Sequence, residues 1–186
     1  ENNRGQSPAA KPLTVFLGRR TEQYQYVDYL LKLALNGRYP RDLAVWAIEN
    51  PRTSTAFEKR VSAATRGQGG GTLDAWVDVA SLGPENSVPN VQQRGFRFPP
   101  GGSGARFATG TIRLHGPVTP GAQLQFLLCR MFVGRAYVMD AAADGNKQQQ
   151  NADSGPPPGY DSVYATGSSL EGGLGEYHHE YALSDA

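Results

Sequence analysis

The spacing of apolar residues predicts helices in the first half of the chain. Apolar side chains recur every three or four positions over residues 21–35, and Asn36-Gly37 supplies a left-handed stop, so we predict a helix there. A capping box of the form Thr-x-x-Glu begins at Thr55 and predicts a second helix, over residues 55–64. A third, short helix is predicted over residues 88–94.

Short apolar runs bounded by turn residues predict the strands. These runs are Leu43–Ile48, Leu73–Ala80, Phe107–Leu114, Leu124–Val133 and Tyr177–Leu183. Helices that come early and strands that come late are typical of the α+β class. We therefore predict an α+β fold with two antiparallel sheets, built mostly from residues after 72.

The longest apolar run, Leu124–Val133, predicts the core of the sheet. Its side chains are apolar on both faces of an extended chain, so we expect a central strand buried on both sides. Arg130 is the exception, and we expect it to reach a carboxylate or the edge of the sheet. If Phe126 is fully buried, its replacement by Ala should cost about 3–5 kcal/mol.

Length and composition favour one folded domain. The chain has 186 residues, 39% of them hydrophobic, and nine tyrosines, which suffices for a single core. Residues 1–12 are polar with two prolines, so we predict a flexible leader over 1–12 and one domain over 13–186.

The charge pattern gives little support to binding of nucleic acid or membranes. The net charge is only +1, with +5 over residues 1–66 and −7 over residues 137–186, so nucleic acid is not indicated as a partner. No apolar run is long enough for a membrane helix, and we expect no membrane partner. The single cysteine, Cys129, lies in an apolar run and is predicted to be a buried thiol, which is compatible with an intracellular location, nuclear or cytoplasmic.

Common catalytic and metal motifs are weak here. The Gly-rich segment 67–71 lacks the Gly-Lys-Ser/Thr ending of a phosphate loop and is interpreted as a connector. His178 and His179 are neighbours in a predicted strand, so their side chains would point to opposite faces, and we predict no metal site.

A series of short motifs, in order along the chain, is more informative. The segments are Val45–Phe57, Leu73–Ser81, Val91–Phe96, Gly110–Arg113, Leu124–Val138, Gly159–Val163 and His179–Asp185. In order and spacing this series resembles the catalytic domain of poly(ADP-ribose) polymerases, over about residues 43–186. A toxin-like ADP-ribosyltransferase and an unrelated α+β domain are the alternatives. The resemblance implies two antiparallel sheets that split to hold NAD, in a domain that usually continues beyond the last of these segments.

The resemblance also implies which positions would form the active site. The family uses a His and a Tyr to position NAD and a Glu to steady the cationic centre. The His position falls on Val77, the glycine that follows it on Asp78, and the Tyr position on Ile112, so only Glu180 retains its residue type. If the alignment holds, Val77, Ile112 and Glu180 should converge in one cleft.

Two functions follow from these departures. The first is a pseudoenzyme that no longer uses NAD and serves as a protein-interaction or scaffolding module, because Val77 and Ile112 cannot make the lost hydrogen bonds and Asp78 would crowd the nicotinamide. The second is an active NAD-dependent mono-ADP-ribosyltransferase, in which Glu180 does the chemistry and another group takes over the ribose contacts. Candidates for that group are His115, Tyr160 and Tyr164. Glu180 is equally compatible with a solvated strand carboxylate.

Overall fold

The protein belongs to the α+β class. The computed structural model describes residues 11–38, 40, 42–68, 71–98, 105–112, 114, 118–139, 156–168 and 177–183. Its helices are α1 (Glu22–Ala34), α2 (Pro51–Gln68) and α3 (Val88–Arg94), with 3-10 turns at Val79–Ser81 and Pro84–Asn86. Its strands are β1 (Leu13–Phe16), β2 (Trp46–Glu49), β3 (Thr72–Asp78), β4 (Ala105–Ala108), β5 (Phe126–Phe132), β6 (Ala136–Met139), β7 (Ser162–Ser168) and β8 (Tyr177–Leu183).

The ends of α1 are fixed by local signals. The Thr21 hydroxyl accepts a hydrogen bond from the Tyr24 N–H at 3.2 Å, which satisfies one of the free donors of the first turn. Past the C-terminus, Asn36 and Gly37 adopt positive φ angles of 44° and 83°, which terminate the helix. The predicted helix over 21–35 is therefore confirmed.

α2 begins earlier than the sequence predicted. The Asn50 side-chain oxygen accepts from the N–H groups of Arg52 at 3.1 Å and Thr53 at 3.3 Å, so Asn50 caps the helix. Pro51 suits the first helical position because it has no N–H to leave unsatisfied. The predicted start at Thr55 is therefore wrong by a full turn.

The described strands form two sheets. β1 and β2 form a two-stranded antiparallel sheet, and the other strands form a six-stranded sheet in the order β5-β3-β4-β8-β7-β6. In the large sheet the described strand pairs are antiparallel, except that β6 and β7 pair in parallel. The two-stranded sheet is formed by residues before residue 50. The expected antiparallel character thus holds for most of the large sheet, while the expectation that both sheets lie after residue 72 does not.

β5 lies at one end of the described sheet, which corrects the prediction of a central strand. It pairs with β3 over its whole length. Met131 is the one residue of β5 that is buried, and the others are half-buried or exposed. Phe126 is half-buried. The Arg130 prediction is confirmed, because its Nε lies 3.2 Å from Asp74 Oδ1, whose other oxygen accepts from the Tyr26 hydroxyl at 2.9 Å.

The half of the large sheet that consists of β5, β3 and β4 is covered on both faces. α1 packs on one face, where Leu31, Ala34 and Leu35 contact Trp76 and Ile112. The opposite face holds a second cluster, whose buried members are Ala75, Val77, Ala105, Phe107 and Met131. Phe96, Phe98 and Leu82 cover that cluster from the segment around α3.

Cys129 borders this second cluster, and its thiol should be unreactive in the folded protein. Burial raises the pKa of Cys129 to about 12, and the nearby Asp74 charge adds to the effect. Since the thiolate is the reactive form, we expect labelling by a thiol reagent at pH 8 to be much slower for the native protein than for the protein in denaturant. Equal labelling rates in the two conditions would contradict this burial.

Candidate functional site

The candidate site lies on three adjacent strands, β3, β4 and β8. Trp76 of β3 is paired with Ala108 of β4, and Ala108 is paired with Glu180 of β8. Paired residues share a face of a sheet and neighbouring residues along a strand alternate. Glu180 therefore lies on the face that carries Trp76, and Val77 lies on the opposite face.

Val77 and Ile112 are core residues. Val77 is 1% exposed and packs in the cluster around Phe107. Ile112 is 6% exposed against α1, and its N–H donates to the Ala34 carbonyl at 2.9 Å, at the C-terminal end of that helix. The structure does not bring Val77, Ile112 and Glu180 together, because the sheet separates Val77 from Glu180.

Charged side chains lie near Glu180 on this face of the sheet. We use the name charged row for Asp78, Arg106 and Glu180. Asp78 is two residues from Trp76 along β3, and Arg106 is two residues from Ala108 along β4, so both point to that face. Arg106 Nη1 lies 3.9 Å from Glu180 Oε2. The Glu180 side chain is only 15% exposed and that of Arg106 34%, so water screens this ion pair less than it would at an open surface.

Asp78 also has a local structural role. Its Oδ1 accepts from the Ala80 N–H at 3.0 Å, which caps the 3-10 turn after β3. The Ser81 hydroxyl donates to the Asp78 carbonyl at 2.6 Å. The carboxylate is therefore held in place by its own backbone turn, and Asp78 is 6% exposed.

Arg106 was missed by the sequence reasoning. The alignment placed the Tyr position on Ile112, four residues beyond the end of β4. A period-2 interpretation of Ala105-Arg106-Phe107 would have put Arg106 opposite the core-facing Phe107. The signal was present in the alternation, not in the motif spacing.

Tyr160 lies away from the charged row. Its ring is 5.3 Å from that of Tyr137 in an edge-on contact, and the Arg135 guanidinium lies 4.9 Å from its centre. It precedes β7, whereas Glu180 is paired with Ala165 in the middle of that strand. The structure thus places Tyr160 beside β6 rather than beside Glu180.

Tyr164 belongs to an aromatic cluster on the face opposite Glu180. It is paired with Tyr181, their rings lie 4.9 Å apart, and its hydroxyl is hydrogen-bonded to His179 Nδ1. Desolvation raises the pKa of Tyr181, and the neighbouring Tyr164 adds to the shift. Tyr164 therefore does not face a ligand held by Glu180, and His115 lies outside the described residues.

Within the described ranges, no group of three or more His, Cys, Asp or Glu side chains is arranged to hold a metal ion. No helix among the described residues is both long and apolar enough to cross a membrane.

Comparison with known proteins adds no family assignment to this geometry. Neither the scan against protein-family models nor the search of curated proteins finds a match to the chain.

Proposed function

We propose that this chain is a divergent poly(ADP-ribose) polymerase-like domain that acts as a protein-interaction module and does not transfer ADP-ribose. The observation that carries the proposal is the ion pair between Arg106 and Glu180. Glu180 is the residue to which the resemblance gives the catalytic role. Its carboxylate faces a cation that belongs to the protein itself.

This ion pair opposes the expected chemistry. A transferase of this kind needs a carboxylate to stabilise positive charge that develops on the ribose. A guanidinium at 3.9 Å offsets the field of Glu180 and repels both that developing charge and the cationic nicotinamide ring. Asp78 acts through its size instead: its cap to Ala80 holds its side chain at the position where the family has a glycine, so it would crowd the nicotinamide. Among the described residues, Glu180 is therefore opposed by Arg106, and Val77, at the position of the ribose-binding His, is buried on the other face of the sheet.

The sheet order supports the family part of the proposal. The three strands that carry the charged row are consecutive neighbours, β3-β4-β8, although β8 comes last in the chain. Strands that lie far apart in sequence thus become neighbours, as the resemblance requires of its strands, although the residues at its triad positions, Val77, Ile112 and Glu180, do not meet.

Exposed apolar side chains support the interaction part of the proposal. α1 buries one face against the sheet but also presents Tyr26, Tyr29 and Leu33, which are 50%, 60% and 59% exposed. Their spacing of three and four residues places them on one side of the helix. Apolar side chains grouped in this way favour binding to another protein.

The proposal is tested by measuring NAD binding and transfer together. We expect the melting temperature to stay unchanged in millimolar NAD, whereas a ligand at 100 times its dissociation constant would stabilise the fold by about 2.7 kcal/mol. We also expect no label to move from labelled NAD to protein. An NAD-dependent rise in melting temperature, with transfer that Glu180→Gln removes and the exposed control Glu58→Gln keeps, would overturn the proposal.

A further inference from the structure

The two-stranded sheet presents an aromatic pair to solvent. Phe16 and Trp46 are paired across β1 and β2, with ring centroids 5.7 Å apart and planes at 65°. Phe16 is 61% exposed and Trp46 is 54% exposed. Large aromatic side chains are normally well covered, so this exposure needs a reason.

The opposite face of the same sheet explains why the pair points outward. Leu17 and Val45 are buried there against Tyr24 of α1, and Ala47 packs with them. The strand alternation then directs Phe16 and Trp46 away from the domain. The aromatic pair is therefore not surplus core, because the core side of the sheet is already filled.

The exposed area of the two rings limits the kind of partner that could bind there. A fully buried aromatic side chain covers about 150–250 Å², so the exposed fractions correspond to about 250 Å² for the two rings together. A stable interface needs about 800 Å² from each partner. A second copy of the chain or a large globular domain would not be held by this pair alone, whereas a short segment of a few residues would fit it.

A short segment binds through so small an area only if little entropy is lost on binding. A proline-rich segment meets this condition because it already adopts the polyproline II helix in solution. Its rings pack on exposed aromatic faces, which is how aromatic grooves recognise such segments. A flexible peptide of ordinary composition would lose more freedom than this contact can offset.

We propose that Phe16 and Trp46 form a docking site for a proline-rich segment of a partner protein. This inference rests on the proposed function, since it names the partner chemistry of the interaction module. The site is separate from the charged row, because Phe16 and Trp46 belong to the small sheet and Asp78, Arg106 and Glu180 to the large one. The two can therefore be tested independently.

The test is a titration of the whole chain with a ten-residue polyproline peptide, followed by nuclear magnetic resonance of the tryptophan indole N–H groups. The chain has two tryptophans, and Trp76 is only 6% exposed, so it is an internal control. We expect the Trp46 signal to shift saturably at peptide concentrations up to about 1 mM, while that of Trp76 stays still. We expect Phe16→Ala to weaken binding at least tenfold, and Val138→Ala, at a 63% exposed position on β6, to leave it unchanged.

Four results would overturn the docking site. They are no saturable shift of Trp46, an equal shift with a Gly-Ser peptide of the same length, unchanged binding in a folded Phe16→Ala variant, and self-association of the protein alone that Trp46→Ala abolishes. None of them bears on NAD. NAD-dependent stabilisation with label transfer would instead overturn the proposed function, whatever the peptide does.

Discussion

Replacing Phe107 with Ala should destabilise the protein by about 3–5 kcal/mol. Phe107 is 2% exposed on β4, which lies between β3 and β8 in the large sheet, and its ring packs edge-on against that of Phe96 at 5.5 Å. Truncation removes the ring from between Val77 and the segment that covers it, and the paired strands cannot close the space. The loss should appear as a lower midpoint in chemical denaturation.

Two other phenylalanines are matched controls for this substitution. Phe16 is 61% exposed, so Phe16→Ala should change the free energy of unfolding by only about 0.5 kcal/mol. Phe126 is half-buried on β5, so Phe126→Ala should fall between the two. If Phe107→Ala cost no more than Phe126→Ala, the burial described for the second cluster would be wrong.

Local signals were enough to predict several elements of the fold. The sequence predicted α3 and β8 with the bounds that the structure has, and α1 to within a residue at each end. A cap, a stop and a hydrophobic period all act within a few residues of one another. β1 was missed because only four residues, after a proline-containing leader, carry it.

The position of β5 could not be predicted in the same way. An apolar run such as Leu124–Val133 has the same composition whether its strand is central or at the end of a sheet. The position of β5 in the sheet depends on its pairing with β3, which lies about fifty residues earlier in the chain. The parallel pairing of β6 with β7 likewise depends on a long connection, which leaves no local pattern.

The candidate site shows how sensitive a strand assignment is to a shift of one residue. Motif spacing put the first site position on Val77, but the side chain on the face of Glu180 is that of Asp78. A slip of one residue moves a side chain from one face of a sheet to the other. Motif spacing alone therefore does not determine which face of a strand a given position occupies.

Two of the motif segments, Leu124–Val138 and Gly159–Val163, meet at the turn between β5 and β6. Gly134 has a φ of 53°, and the Asp161 carboxylate lies against it and accepts from the Arg135 N–H at 2.8 Å. The Asp161 N–H donates to the Arg135 carbonyl at 2.9 Å, and the Ser162 hydroxyl donates to the Val133 carbonyl at 2.8 Å. The Gly-x-x-Tyr and Tyr-Asp-Ser-Val segments therefore hold each other where β7 begins.

Replacing Gly134 with Ala should cost about 2.5–5 kcal/mol. The left-handed conformation costs a residue with a Cβ about 1–2 kcal/mol, and the new Cβ would lie 2.6 Å from the Asp161 Cβ, which forces the carboxylate away from Arg135. Losing that charge-assisted hydrogen bond adds about 1.5–3 kcal/mol. Gly121→Ala is the matched control, because Gly121 has a φ of 83° and an added Cβ would have nothing within 4 Å. This substitution should therefore cost only about 1–2 kcal/mol, the cost of the left-handed conformation. Chemical denaturation of both variants measures the difference, and equal losses would mean that the contact between Gly134 and Asp161 does not stabilise the turn.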